Sequence, residues 1–388
     1  MKNNRTFLEK LLDGSEVEWK PLKKVCNFIS TGKLNANAMD ENGIYPFFTC
    51  NEKPYKINNY AFDMEAILIS GNGSQVGHLN YFKGKFNAYQ RTYVIGEFDN
   101  NTLVMYLYHY LNFKLRDYIT INSKKGSVPY ITLPMLEKFE IPIPPLSIQT
   151  EIVRILDALT ALTSELTSEL ILRQKQYEYY REKLLSEEEL GKVGFEWKTI
   201  DEISKKISSG GTPTTSNNGY YDNGTIPWLR TQEVDFKEIW DTNIKITEDA
   251  LNNSSAKWIP ANCVIVAMYG ATVGKTAINK IPLTTNQACA NIEINDKLAC
   301  YRYIFHYLTS KYEYIKSLGS GSQTNINAQI IKKLKVPVPP IEEQYRIVSI
   351  LDKFETLTNS ITEGLPLAIE QSQKRYEYYR ELLLNFKQ

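Results

Sequence analysis

The stretch from Val266 to Ile278, VAMYGATVGKTAI, has the residue types of a phosphate-binding loop: a β-branched run, two glycines and a Gly-Lys-Thr. Such a loop wraps successive backbone amides around a polyphosphate, and it needs four residues between its first glycine and the Gly-Lys pair. Here Gly270 and Gly274 are separated by three, and Tyr269 stands where the first glycine belongs. A second stretch, GSQVGHL from Gly73 to Leu79, repeats the pattern with His78 in place of Lys275. A nucleotide site common to both copies would keep its lysine in both, whereas a tight turn needs only the glycines. The spacing predicts a turn and argues against a free-standing nucleotide-using enzyme.

Other catalytic sets fail in the same way. There are three histidines, and His109 and His306 lie in the apolar settings YLYHYL and YIFHYL, which predicts packed histidines and not general bases. The five cysteines show no Cys-x-x-Cys or Cys/His ligand spacing, so they read as reduced thiols of a cytoplasmic protein that holds no metal. No Gly-x-Ser-x-Gly elbow occurs, and no Asn-Pro-Pro-Tyr tetrad of the kind that holds a flipped base. The reading is therefore non-catalytic, with no cofactor. No apolar run approaches a membrane span, and the start of the chain, MKNNRTFLEKLLDGSE, is too polar for a signal peptide.

What remains is a set of polar loops. Asn72, Gln75, His78, Gln90 and Arg91 stand in the first half of the chain, and Arg230, Gln232, Lys275, Asn286, Gln287 and Gln323 in the second. Asn and Gln side chains match adenine edges, while Arg and Lys match guanine or phosphate. Lys124 and Lys125 suit phosphate contacts better than base contacts.

These loops are organised by an internal duplication, which decides how everything else is read. IPIPPLSIQTEIVRILD (Ile141 to Asp157) recurs as VPVPPIEEQYRIVSILD (Val336 to Asp352), and YEYYREKLL (Tyr177 to Leu185) as YEYYRELLL (Tyr376 to Leu384). EWK at Glu18 and at Glu196, and GSVPYI against GSQTNI, extend the match. The order is globular unit, helix, globular unit, helix. We divide the chain at 1–19 (an N-terminal helix), 20–140, 141–188, 189–335 and 336–388. The globular units mix β-branched runs with one helix each, which predicts α+β domains.

In the first helical segment Ile152, Ile155, Leu159, Leu162, Leu166 and Leu170 fall three or four residues apart, followed by Tyr177, Tyr180 and Leu184. Roughly forty residues of helix reach about 60 Å. Two such stripes most simply bury each other as an antiparallel coiled coil with pseudo-twofold symmetry. Helix starts are expected just after the proline leads, near Ser147 and Glu342, and Pro366 with Gly364 should interrupt the second helix. The second segment is four residues longer, about one helical turn. The first contains TSELTSEL, a tandem four-residue unit. Charge follows the same division: residues 20–140 and 198–335 each carry net +4, whereas 141–197 carries −4 and 336–388 carries −2. Positive charge on the diverged units suits two readers of an acidic polymer joined by acidic spacers.

Together these features resemble the specificity subunit of type I restriction–modification systems, along essentially the whole chain. The likeness rests on Pro142, Pro144, Pro145 and Gln149 with RILD, on Pro337, Pro339, Pro340 and Gln344 with SILD, and on IPWLRTQEV, GATVGKTAI and GSQTNI. It implies two target-recognition domains, each reading half of a split site in double-stranded DNA. It also implies helices that set the spacer and dock two adenine-methyltransferase subunits. Those subunits would carry the chemistry, and restriction subunits would join the full complex. The tandem TSEL resembles helix repeats whose copy number changes spacer length in that family. The competing reading is a coiled-coil adaptor that binds only proteins.

Overall fold

The computed structural model describes residues 6–123, 129–319 and 325–387. It divides into two compact units, one built from residues 1–167 with 368–388 and the other from residues 168–367.

In the first unit a six-stranded sheet runs in the order Cys26–Thr31, Thr92–Phe98, Phe62–Ser70, Leu79–Ala88, Tyr45–Phe48, Tyr55–Ile57. Its pairings are antiparallel except that Tyr45–Phe48 lies parallel to Leu79–Ala88, with Phe47 opposite Asn87. The second unit repeats the plan in two pieces. Five strands run in the order Ser204–Ser209, Cys289–Ile294, Val264–Ala267, Thr276–Asn279, Lys237–Ile239. Four more run Lys245–Ile246, Ile226–Leu229, Leu283–Thr285, Trp258–Ile259. The long Leu79–Ala88 strand of the first unit thus corresponds to two short strands interrupted at Pro282. Proline has no amide to donate to a ladder, so the strand breaks there.

The repeated sequence motifs pair with one another. Glu18–Pro21 lies antiparallel to Glu140–Ile143 with Trp19 opposite Pro142, and Glu196–Thr199 to Lys335–Val338 with Trp197 opposite Pro337. Buried Tyr106 donates its hydroxyl to the Pro142 carbonyl at 2.7 Å, and Tyr303 to that of Pro337 at 2.9 Å. Gln149 accepts from the Leu103 amide (2.9 Å) and donates to the Pro144 carbonyl (2.8 Å). Gln344 does the same with Cys300 and Pro339 at 2.8 and 2.9 Å. Both glutamines are fully buried, and each satisfies backbone groups that would otherwise be stranded at a helix start. The repeated Pro-x-Pro-Pro and Gln are therefore the joint between each globular domain and its helix.

The central helix runs Leu146–Leu184, and the second helical segment is split into Ile341–Asn359 and Leu365–Leu384. The break falls where Pro366 and Gly364 place it; Gly364 takes φ +91. The four extra residues of the second repeat lie around this non-helical stretch, so they do not lengthen a continuous helix by a turn as its length alone suggests. Helices pair antiparallel inside each unit. In the first, Ile152 and Leu156 share a core with Leu383 and Leu384, and Thr163 Oγ1 lies 2.8 Å from Ser372 Oγ. In the second, Leu185 shares a core with Ile347 and Leu351, and Tyr180 stacks on Phe354 at 5.6 Å. The stripe is not buried throughout: Leu162 and Tyr180 are exposed. A two-helix pair covers only one narrow seam, so side chains a turn off that seam reach solvent.

Among the described residues no helix is long and apolar enough to cross a membrane. The helix at the start of the chain is short, Phe7–Leu12, with a Thr6/Glu9 capping box.

Candidate nucleic-acid interface

The two glycine turns have the same backbone. Val76 N donates to Gly73 O and Val273 N to Gly270 O, both at 3.2 Å; Gly77 N to Ser70 O and Gly274 N to Ala267 O, both at 2.8 Å. His78 N and Lys275 N close the turns onto Gln75 O and Thr272 O, both at 2.9 Å. Gly73 and Gly270 have φ +85 and +82, Gly77 and Gly274 +78 and +82. This left-handed region costs an L-residue with a side chain roughly 1–2 kcal/mol. Gly274→Ala should do worse than Gly270→Ala: its new Cβ would meet Lys316 N at 3.3 Å, whereas nothing lies within 4 Å of Gly270. The expected result is about 2 kcal/mol lost for Gly274→Ala against about 1 for Gly270→Ala, read from urea midpoints. These are turns, and Lys275 faces a carboxylate and not an empty cradle: its Nζ lies 2.6 Å from Asp235 Oδ1.

In the first unit the turn sits beside two further loops. A cavity of about 270 Å³ brings Asn72, Gln90 and Arg91 together with Thr31 and Tyr130. Gln90 and Arg91 are exposed, and Asn72, Gln75 and His78 half-buried. Asn72 Oδ1 accepts from the Cys50 thiol at 3.3 Å, and His78 Nε2 lies 3.2 Å from the Glu52 carbonyl. Gly71 N donates to Arg91 O at 2.9 Å, locking the turn against the Arg91 strand start.

In the second unit the corresponding loops are 230–236, 270–275 and 286–288. Asn286 N donates to Leu229 O at 2.9 Å, just as Tyr89 N does to Phe48 O at 2.9 Å. By this correspondence Gln287 takes the place of Gln90, and both are exposed. Gln287 Oε1 accepts from the Thr212 hydroxyl. Asn286 is half-buried, its Oδ1 accepting from Ala288 N at 3.2 Å. Gln232 is exposed, and Arg230 sits 3.8 Å from Glu233, a buried carboxylate that also takes the Asn243 amide at 2.8 Å. Thr272 Oγ1 donates to Thr231 O at 2.7 Å and ties two of the loops together. Lys124, Lys125 and Gln323 lie outside the described residues. Tyr130, Thr212 and Asp235 also stand at these loops; the first two lie within polar stretches of the sequence, and Asp235 directly follows RTQEV.

Among the described residues the buried titratable side chains are committed to structural partners. His109 and His306 are buried and bond Asp157 and Asp352 through Nε2 at 2.8 and 2.7 Å. Among the described residues one group, His306, Asp352 and Glu355, is close enough to share a cation. Arg302 already fills that role, with Nη2 at 2.7 Å from Asp352 and 3.3 Å from Glu355. The five cysteines are free, and burial pushes the thiols of Cys26 and Cys263 up to about 12, so both stay protonated and inert. A larger cavity of about 850 Å³, lined by Trp197, Tyr314 and Lys335 among others, includes none of these loop residues.

Two duplicated α+β domains, each fused to a helix pair and each carrying polar loops around a glycine turn, define a class of twin-domain proteins built on one repeated frame. Comparison with known proteins places the chain within that class. The family model described as the type I restriction modification DNA specificity domain matches twice, at residues 14–173 and 192–371. A putative type I restriction enzyme specificity subunit of Haemophilus influenzae is 41% identical, over 100% of both chains. The EcoR124I/EcoR124II specificity subunit of Escherichia coli is 38% identical, over 98% of this chain and 97% of its own. The chain belongs to the type I restriction–modification specificity family. The fold is shared with the S subunit of M. genitalium (TM-score 0.58, 16% identity, 96% of each chain). It is shared also with the HsdS subunit of Thermoanaerobacter tengcongensis (TM-score 0.51, 18% identity, 95% of each chain).

Proposed function

We propose that this chain is the non-catalytic DNA-reading subunit of a type I restriction–modification complex. Each globular domain reads one half of a bipartite site in double-stranded DNA, and the paired helices set the spacing between the halves. Two adenine-methyltransferase subunits dock on the helices and carry out the methyl transfer; restriction subunits complete the nuclease. The observation that carries this reading is the contrast between a repeated frame and variable loops. The joints at Gln149 and Gln344 share their bonds to the helix amide and the proline carbonyl, and the two glycine turns share theirs. Beside the turns, Asn72, Gln90 and Arg91 in one unit stand against Arg230, Lys275 and Gln287 in the other. One scaffold with two different polar faces is what reading two different sequences requires.

The helices support docking of a duplicated partner. Tyr179 and Tyr378 hold equivalent places in the repeated Tyr-Glu-Tyr-Tyr-Arg and are both exposed, at 57% and 62%. Tyr177 and Tyr376, two residues earlier, pack on their unit's core instead. Aromatic side chains left exposed at the same position of both repeats suit two copies of one subunit.

Co-expression with candidate methyltransferase subunits, followed by mapping of methylated adenines, tests the reading. The expected product is methylation at two short sequences separated by an unread gap. Binding that shows no dependence on DNA or salt would favour the protein-only adaptor. Within the DNA reading, Gln90→Ala should relax one position of one half-site, and Gln287→Ala one position of the other. Each should cost about 1–3 kcal/mol of discrimination, seen as degeneracy in the methylation map.

A further inference from the structure

Lys275 is not a free cation. Its ammonium sits 2.6 Å from Asp235 Oδ1 and 5.6 Å from the centre of the Phe236 ring, with the lysine side chain only 25% exposed. Asp235 itself cannot drift. The next residue, Phe236, has φ +50, a region that a bulky side chain avoids unless its surroundings hold it there. Its amide donates to the Thr276 carbonyl at 2.8 Å, and its ring meets Tyr312 edge-on at 5.2 Å. The bond from Thr272 to the Thr231 carbonyl fastens the turn to the same loop. The first unit pins the equivalent side chain too: His78 rests on the Glu52 carbonyl, on the loop that follows the equivalent parallel strand. Both units therefore fix the residue that ends the turn. Among the described residues only the second does so with a countercharge.

We propose that Asp235 is a positioning residue that determines specificity, by cancelling the charge of Lys275 while leaving its remaining donors aimed at a base. This inference rests on the reading of the second domain as a DNA reader. A lysine ammonium has three N–H bonds. With one spent on Asp235, two remain for acceptors such as O6 and N7 of guanine in the major groove. A loose lysine on a recognition loop acts chiefly as a point charge and grips any phosphate. Each phosphate so neutralised adds about 0.9 to the slope of log affinity against log salt, and it strengthens binding to every sequence alike. A lysine held by a carboxylate contributes little to that slope, yet it still offers directional hydrogen bonds. Asp235 thus turns a phosphate-binding side chain into a base-reading one.

The test compares the wild-type chain, Asp235→Asn, Lys275→Ala and the double variant, each assembled with its methyltransferase subunits, on cognate and unrelated duplexes across a salt series. Asparagine keeps the shape and an acceptor oxygen while removing the charge, and position 235 is exposed, so folding should be untouched. Asp235→Asn is expected to steepen the salt slope on unrelated DNA by about 0.9 and to tighten that binding roughly three- to tenfold at 0.1 M salt. Cognate binding gains less, so the cognate-to-unrelated ratio falls, and one position of the second half-site becomes degenerate. Adding Lys275→Ala should abolish the extra slope. If Asp235→Asn leaves slope and ratio unchanged while Lys275→Ala still weakens cognate binding, the role of Asp235 is refuted and the DNA reading stands. If the wild-type complex shows no salt-dependent DNA binding at all, the DNA reading fails and the inference falls with it.

Discussion

Arg302→Met should destabilise the second unit by about 2–3 kcal/mol at pH 7.5, and by less at pH 5, because it leaves a half-buried set of carboxylates without its guanidinium. Arg302 is 18% exposed and lies against Asp352, Glu355 and Glu238. Burial alone would raise the Asp352 carboxyl, but bonds from His306 and Arg302 outweigh it and hold Asp352 below its ordinary 3.8. Burial dominates at Glu355 and holds it above 4.5. The signs oppose each other. Asp352, with its folded value depressed, adds stability that is present above pH 3.8 and is lost as pH falls through the lower folded value. Glu355, with its folded value raised, costs stability as pH climbs through 4.5 towards its higher folded value. Without the guanidinium both carboxylates are penalised when ionised, so the deficit grows as pH rises and shrinks as they take up protons.

The first unit supplies the control for this experiment. It keeps the His109–Asp157 pair, but Met105 stands where Arg302 does and Thr160 where Glu355 does. The frame therefore accepts methionine when the extra carboxylate is absent. Arg302→Met combined with Glu355→Thr should recover most of the loss, giving a coupling of about 2 kcal/mol or more in a double-mutant cycle. Urea unfolding at pH 7.5 and pH 5 reads both effects. An equal deficit at the two pH values would assign the loss to packing and not to charge.

How much of the molecule is legible in its sequence depends on what the duplication preserved. Residues identical in both copies proved to be joints: Gln149 and Gln344, Tyr106 and Tyr303, His109 and His306 with their aspartates, and the paired glycines. An internal repeat acts as its own comparison, so the frame could be read from one chain. The helix break could be read too, because proline and a left-handed glycine act locally. Partners distant in sequence could not. Asp235 meets Lys275 across forty residues, and Phe48 pairs with Ala88 in parallel across forty more, with no periodicity to announce either contact. The polar faces depend on such contacts, which is why loops were identifiable while the pinning of individual side chains was not. Helical periodicity also overstated burial at Leu162 and Tyr180, since the stripe locates a face but not the width of the surface that covers it.

Deleting Thr163 to Leu166 should move the preferred spacing while leaving both half-sequences intact. The central helix is continuous from Leu146 to Leu184, and the boundary between the two compact units falls within it at Thr167 and Ser168. Removing one TSEL shortens the helix by about 6 Å and rotates its C-terminal part by about 40°. Thr167 then takes the place of Thr163, so the hydroxyl partner of Ser372 is retained and the seam is not opened. The second helical segment can adjust, because its chain is already interrupted between Asn359 and Leu365. Along B-form DNA the shift corresponds to roughly two base-pair rises of about 3.4 Å. On the original spacing one half of the site is then out of register. Several mismatches at about 1–3 kcal/mol each lower its methylation by about 100-fold or more. Mapping methylated adenines in cells that carry the deletion should recover both parent half-sequences at a shorter gap. A changed half-sequence at the old gap would mean that the helix does not set the spacing.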